Sequence, residues 1–220
     1  MKLRRSLAVT AAAGLAVLLV APSATAAPTA KAAQTLGNRS LAAVLTANGG
    51  GQFDSNPFDY DILTQAVLAV IKAKPNSNVA LLANGNVALT AFLPSDFAFR
   101  DLARQLTGKY IWSEKDVFNT LVSTLGVDTI EAVLLYHVIP GATIDSKTAV
   151  NSNGASLATA LPGASIRVQV VSKWLGLVKL VDADTNDANP YLNPFALNIN
   201  KGNKQIAHGI TAVLRPVDLP

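Results

Sequence analysis

The chain contains no cysteine among its 220 residues. That absence excludes disulfide bracing, thiolate nucleophiles, zinc sites built on thiolates and a lipid anchor on cysteine. Histidine is scarce too, with His137 and His208 the two copies. Glutamate is confined to Glu114 and Glu131, both placed where helices would begin, so paired-glutamate glycosidase chemistry has little to draw on. No G-x-S-x-G elbow surrounds any serine, and neither a P-loop nor a dinucleotide fingerprint occurs. A Ser-His-Asp set can be assembled on paper from Ser95, either histidine and an aspartate. Ser95 is better explained as a helix N-cap. The expectation is a protein without catalysis, cofactor or metal.

Long hydrophobic runs are also few. The first lies at the N-terminus, where Lys2, Arg4 and Arg5 precede an apolar stretch from Leu7 to Val20 and the small residues Ala24, Thr25 and Ala26. This is the pattern of a secretory signal peptide over 1–26, cleaved after Ala26. The run is short for a membrane span and no stop-transfer charges follow it. Three of the 18 basic residues lie in this segment, leaving 15 against 14 acidic ones, a net charge of about +1. The pI of about 9.4 therefore belongs largely to the leader. No basic face remains for phosphates, which argues against nucleic acid as a partner. Nor does a second hydrophobic segment or sorting signal follow, so the mature chain is expected to be exported and soluble.

What is present is apolar patterning: 50% of the residues are hydrophobic, enough for a full core. Residues 27–36 read as a flexible leader, and 37–220 as one domain. Leu41, Val44 and Leu45 share one side of a short helix. Ile62, Leu63, Ala66, Val67, Val70 and Ile71 recur at helical spacing behind Asp59 or Asp61 as cap. Val87 to Leu93 reads as a strand that becomes a helix at Pro94-Ser95-Asp96, with Phe97, Phe99 and Leu102 packing inward. Ser113 starts another helix, which runs to Gly126. Asp128-Thr129-Ile130-Glu131 has the form of a capping box for a helix ending near Tyr136, stopped by Pro140-Gly141.

After Gly141 strands dominate, at Ala142–Asp145, Leu157–Leu161, Ala164–Val171, Gly176–Val181, Phe195–Ile199 and Gln205–Val213. Ile166, Val168 and Val170 alternate with Arg167 and Gln169, as in a sheet wet on one face. Helices early and strands late indicate an α+β domain.

Three stretches stand out in order. Thr90 to Phe99 fits T-x-F-x-P-S/T-D-x-A-F, and Leu134 to Gly141 fits L-x-Y-H-x-x-x-G. The third, roughly Asn198 to Leu214, is a C-terminal box ending in a hydrophobic strand. In this register the chain from about Gly37 onward resembles the fasciclin-type (FAS1) domain family. The resemblance implies a bent sheet or β-sandwich packed against a layer of short helices. It also implies an extracellular binding module, because the Tyr-His element is implicated in cell adhesion in some animal members. Partners would be an extracellular or cell-surface protein, or alternatively a polysaccharide or small molecule held in a cleft between the helical layer and the sheet.

Two readings of His137 stay open. One is a buried ring that holds the helix end to Ser95 or Asp96, with a carboxylate neighbour or the helix C-terminus favouring its charged form. The other places Tyr136, His137, Val138 and Ile139 on a partner-binding surface, joined by Trp174 at the tip of an apolar hairpin. Trp174 has core packing as its alternative. His208 reads as structural or exposed. Asp182 to Asp187 alternates acidic and amide side chains like the start of a calcium loop. The EF-hand pattern fails where Asp187 and Asn193 stand, which leaves a solvated loop or a calcium site of another type.

Overall fold

The computed structural model describes residues 35–47 and 51–219; the signal peptide expected over 1–26 lies outside them. The order of elements is α1 (Leu41–Ala47), α2 (Asp61–Ala73), a 3-10 helix (Asn78–Ala83), β1 (Leu89–Pro94), α3 (Asp96–Thr107) and α4 (Glu114–Tyr136). Then follow β2 (Val138–Pro140), α5 (Ser146–Val150), β3 (Ser156–Ala158), β4 (Ser165–Ser172), β5 (Leu177–Val181) and β6 (Gln205–Ile210). The class is α+β, with two three-stranded sheets. In one, β1 is central, antiparallel to β2 and parallel to β6. In the other, β4 lies between β3 and β5, all antiparallel.

The apolar patterns land where their periodicity directs. Leu41, Val44 and Leu45 of α1 are buried, as are Ile62, Leu63, Ala66, Val67 and Val70 of α2. They join Leu89, Ala91 and Leu93 of β1 and the inward faces of α3 and α4 in one core. A second core fills the space between the sheets with Phe92, Tyr136, Ile139, Ile166, Val168, Val178, Leu180 and Ile210. All six residues of β1 are buried, so this strand presents one face to each core.

α4 is long and apolar enough to cross a membrane by composition. Gly126, at φ 74° and ψ 163°, breaks it into two shorter helices. That backbone geometry is hard for any residue with a Cβ, which is why a glycine stands there. Ser113 caps the first half, its Oγ accepting from Asp116 N at 3.3 Å.

Several local expectations are corrected. Asp128 and Glu131 do not form a capping box, because both carboxylates pair with Lys74 at the end of α2. Ser95 holds the N-cap position of α3, but its side chain makes no capping hydrogen bond. The cap of α2 is neither Asp59 nor Asp61, and comes instead from Asp96 across the chain. Phe97 points to solvent. Ala142–Asp145 and Phe195–Ile199 are not strands, although Ile199 bridges Ala207. The strand expected over Gln205–Val213 is β6, which ends at Ile210.

Candidate functional site

The three sequence boxes converge. Thr90–Phe99 supplies β1 and the start of α3; Leu134–Gly141 supplies the end of α4 and β2; the C-terminal box supplies β6. Their strands are the three neighbours β2, β1 and β6, with Thr90 opposite Ile139 on one side and Ile206 on the other.

His137 follows α4 directly and is buried. Its Nδ1 lies 2.7 Å from the Val133 carbonyl, and its Nε2 accepts from Leu214 N at 3.0 Å. These partners assign the tautomer: Nδ1–H donates and Nε2 accepts. Burial, only partly opposed by the Val133 hydrogen bond, lowers the imidazole to about 4. The ring is therefore neutral at physiological pH. Neither Ser95 nor Asp96 is its partner, and the charged form expected at a helix C-terminus is not favoured. The physical reason is desolvation, which outweighs the helix end when no carboxylate is within reach.

His208 is arranged the same way. Nε2 meets the Ile144 carbonyl at 2.9 Å and Nδ1 accepts from Asn198 N at 3.3 Å, while burial again lowers its pKa. Each imidazole thus joins one carbonyl to one amide, and neither has a ring nitrogen left for a serine or a metal.

Tyr136, Val138 and Ile139 are buried as well. The Tyr136 hydroxyl donates to Ser165 O at 3.0 Å, and burial pushes its pKa up to about 12. The partner surface expected at Tyr136, His137, Val138 and Ile139 is therefore not at the surface of this chain. These four side chains fill the junction between helices and sheets, because the segment carrying them is apolar on both faces.

Trp174 behaves oppositely. It sits at the turn between β4 and β5, 91% exposed, beside Leu175 at 66%. Together with Ser146, Lys147, Asn151, Lys173, Pro194 and Leu197 they border an open cleft of about 500 Å³. Phe195, next to that rim, is 97% exposed. The space between the helical layer and the β2-β1-β6 sheet, around Leu45, Val67, Phe92 and His137, measures only about 20 Å³. It has room for a water at most, so at this place among the described residues no ligand-sized cleft opens.

A family profile described as the fasciclin domain matches residues 63–216. The chain belongs to the fasciclin domain family. A solved FAS1 domain pair from the insect cell adhesion molecule fasciclin I is similar in structure, with 17% sequence identity and a TM-score of 0.49. The match covers 73% of this chain and 48% of that one, so the chain spans about half the length of the solved pair. No curated protein matches the chain in sequence.

In this fasciclin domain the Asp182–Asp187 loop carries its own counter-ion. Arg215 Nε stands 3.0 Å from Asp187 Oδ2 and Nη1 3.4 Å from Asp184 Oδ2, while Arg215 N donates to Asp182 Oδ2 at 2.9 Å. A guanidinium thus supplies the positive charge that a calcium ion would otherwise bring. Burial still raises Asp182 to about 6.

Two features escaped the sequence. Gln205, fully buried on β6, accepts from Leu41 N at 2.7 Å and donates to Leu81 O and Asn84 O at 2.8 Å each. A lone glutamine in a strand gives no sign of partners 121 to 164 residues away. The other is a knot of carboxylates at three helix starts, since Asp61, Asp96 and Glu114 are the first residues of α2, α3 and α4. Burial, and then a hydrogen bond shared with Asp59, raise Asp96 to about 8. Acidic residues in first turns were legible as helix signals, but their convergence was not.

Proposed function

We propose that the chain is a secreted, non-enzymatic binding module of the fasciclin type that contributes to cell adhesion or extracellular protein interaction. The observation that carries this reading is the Trp174 hairpin, where a tryptophan and a leucine stand in water beside an open cleft. Large apolar side chains held out on a rigid turn are good interface anchors. Lys147 and Lys173 border the same cleft, so a complementary partner would present apolar groups with acidic neighbours. Export is inferred from the leader pattern over 1–26. The absence of catalysis is inferred from the two imidazoles, each engaged by backbone at both nitrogens.

The test compares labelled mature protein with its Trp174→Ala variant for retention on intact cells and on isolated surface proteins. Saturable retention by the first, lost in the second at unchanged melting temperature, supports the proposal. Equal retention of both moves the contact surface elsewhere.

A second reading is an extracellular binder of polysaccharide or small molecules. The cleft volume lies within the range of ligand pockets, and Trp174 offers a flat ring beside Ser146 and Asn151. A reproducible melting shift with a sugar or lipid, abolished by Trp174→Ala, would favour this reading over the first.

A further inference from the structure

The loop leading into α2 reads Asp54-Ser55-Asn56-Pro57-Phe58-Asp59-Tyr60-Asp61. Carboxylate oxygens of Asp54, Asp59 and Asp61 all lie within 4.8 Å of one another. A second set, Asp59, Asp96 and Glu114, satisfies the same limit and shares Asp59.

The two sets differ in what their oxygens touch. Asp96 accepts from two backbone amides, and Glu114 accepts from Asp54 N at 2.7 Å and Arg100 Nη2 at 2.9 Å. Both inner carboxylates are closed by protein donors. In the outer set, Asp61 is only 2% exposed, yet its Oδ2 has no hydrogen-bond partner. Asp59 Oδ1 is likewise buried, but its carboxyl group shares a hydrogen bond with Asp96 and accepts from Asn56 Nδ2 at 3.0 Å, so the open oxygen is that of Asp61. A buried carboxylate oxygen without a donor is costly and points to something that should sit against it. Arg100 reaches Glu114, and its Nε is itself left without a partner rather than turned to the outer set. Asp54 is exposed, which gives the outer set an opening to solvent.

We propose that Asp54, Asp59 and Asp61 bind a calcium ion at the N-terminal end of α2, with water completing the coordination on the Asp54 side. Oxygens on one calcium stand about 2.3–2.6 Å from the ion, so two of them are at most about 5 Å apart, which the triad satisfies. Magnesium needs a tighter octahedron, and an all-carboxylate set without imidazole or thiolate disfavours zinc and copper. Asp96 and Glu114 stand behind the triad, held by their own protein donors. The ion would fix the 51–60 loop to the start of α2. This site is separate from the Trp174 cleft and independent of what that cleft binds.

The experiment uses the full mature chain, stripped with chelator, in calorimetric titration and thermal melting with calcium or magnesium at constant ionic strength. The expected result is a saturable calcium heat, with dissociation constants around 0.1–1 mM as in extracellular calcium modules. A calcium-dependent rise in melting temperature should accompany it, with magnesium weaker. Asp54→Asn, at an exposed position, should cut the affinity at least tenfold and remove the shift. Asp61→Asn should do the same from the buried side. No heat and no shift up to about 10 mM calcium, well above that range, would overturn the proposal. So would an unchanged response in both variants, which would place the ion elsewhere.

Discussion

Asp96 opens α3 and also caps α2: its Oδ2 accepts from Asp61 N at 3.1 Å and its Oδ1 from Ile62 N at 3.0 Å. One buried carboxyl group therefore serves two helices that are far apart in sequence. Its own N–H donates to the Asp59 carbonyl at 3.1 Å, which ties the loop before α2 to the start of α3.

Asp96→Ala strands two amides at a buried helix start and should destabilise the domain by about 2–4 kcal/mol. Urea denaturation measures this. In a double-mutant cycle with His137→Gln the two losses should add within about 0.5 kcal/mol, since the residues share no hydrogen-bond partner. Strong coupling between them would contradict the geometry.

Stability should fall with pH through the titration of His137. The ring has a folded value of about 4 against an ordinary 6.5. On acidification the unfolded chain takes up this proton first, so the contribution is complete above about pH 6.5 and drains away toward pH 4. Its ceiling is about 3–4 kcal/mol, since each pKa unit corresponds to about 1.4 kcal/mol. His208, also lowered by burial, acts in the same direction. Subtracting the profile of His137→Gln isolates the His137 part; parallel profiles from pH 4 to 6.5 would refute it.

Gln205→Leu keeps the side-chain volume and removes three hydrogen bonds. Leu41 N, Leu81 O and Asn84 O would be left without this partner, at a cost of about 2–4 kcal/mol. Hydrogen exchange at the Leu41 amide should accelerate more than exchange in β4, because the damage sits between α1 and β6.

Arg215→Ala should be among the most damaging single changes, at about 3 kcal/mol or more. It leaves Asp184 and Asp187 without their shared guanidinium, while the Arg215 amide keeps its bond to Asp182. The loss should shrink at acidic pH, where the Asp187 carboxyl, raised by burial, protonates; thermal melting at two pH values checks this.

Gly126→Ala tests a purely conformational cost. A Cβ there meets nothing within 4 Å, yet φ is +74°. About 1–3 kcal/mol is expected, measured by chemical denaturation. No loss at all would mean that the break in α4 relaxes freely.

The sequence determined the leader pattern, the absence of thiol chemistry, the helix-then-strand order and the family, because each is written in local composition or in spacing along the chain. Apolar periodicity alone assigned Ile62, Val67 and Val70 to the core, and the wet face of β4 followed from strict alternation. Tertiary structure decided which polar groups meet. His137 turned to Val133 and Leu214 rather than to Asp96, Asp96 turned to α2, and Asp128 and Glu131 turned to Lys74. Hydrogen bonds and ion pairs act over a few ångströms in space and carry no periodic signal, so partners tens of residues away stay invisible until the chain is folded. Exposure of Trp174 and burial of Tyr136 were settled for the same reason: both lie in apolar stretches, and only the packing of neighbouring elements says which one is covered.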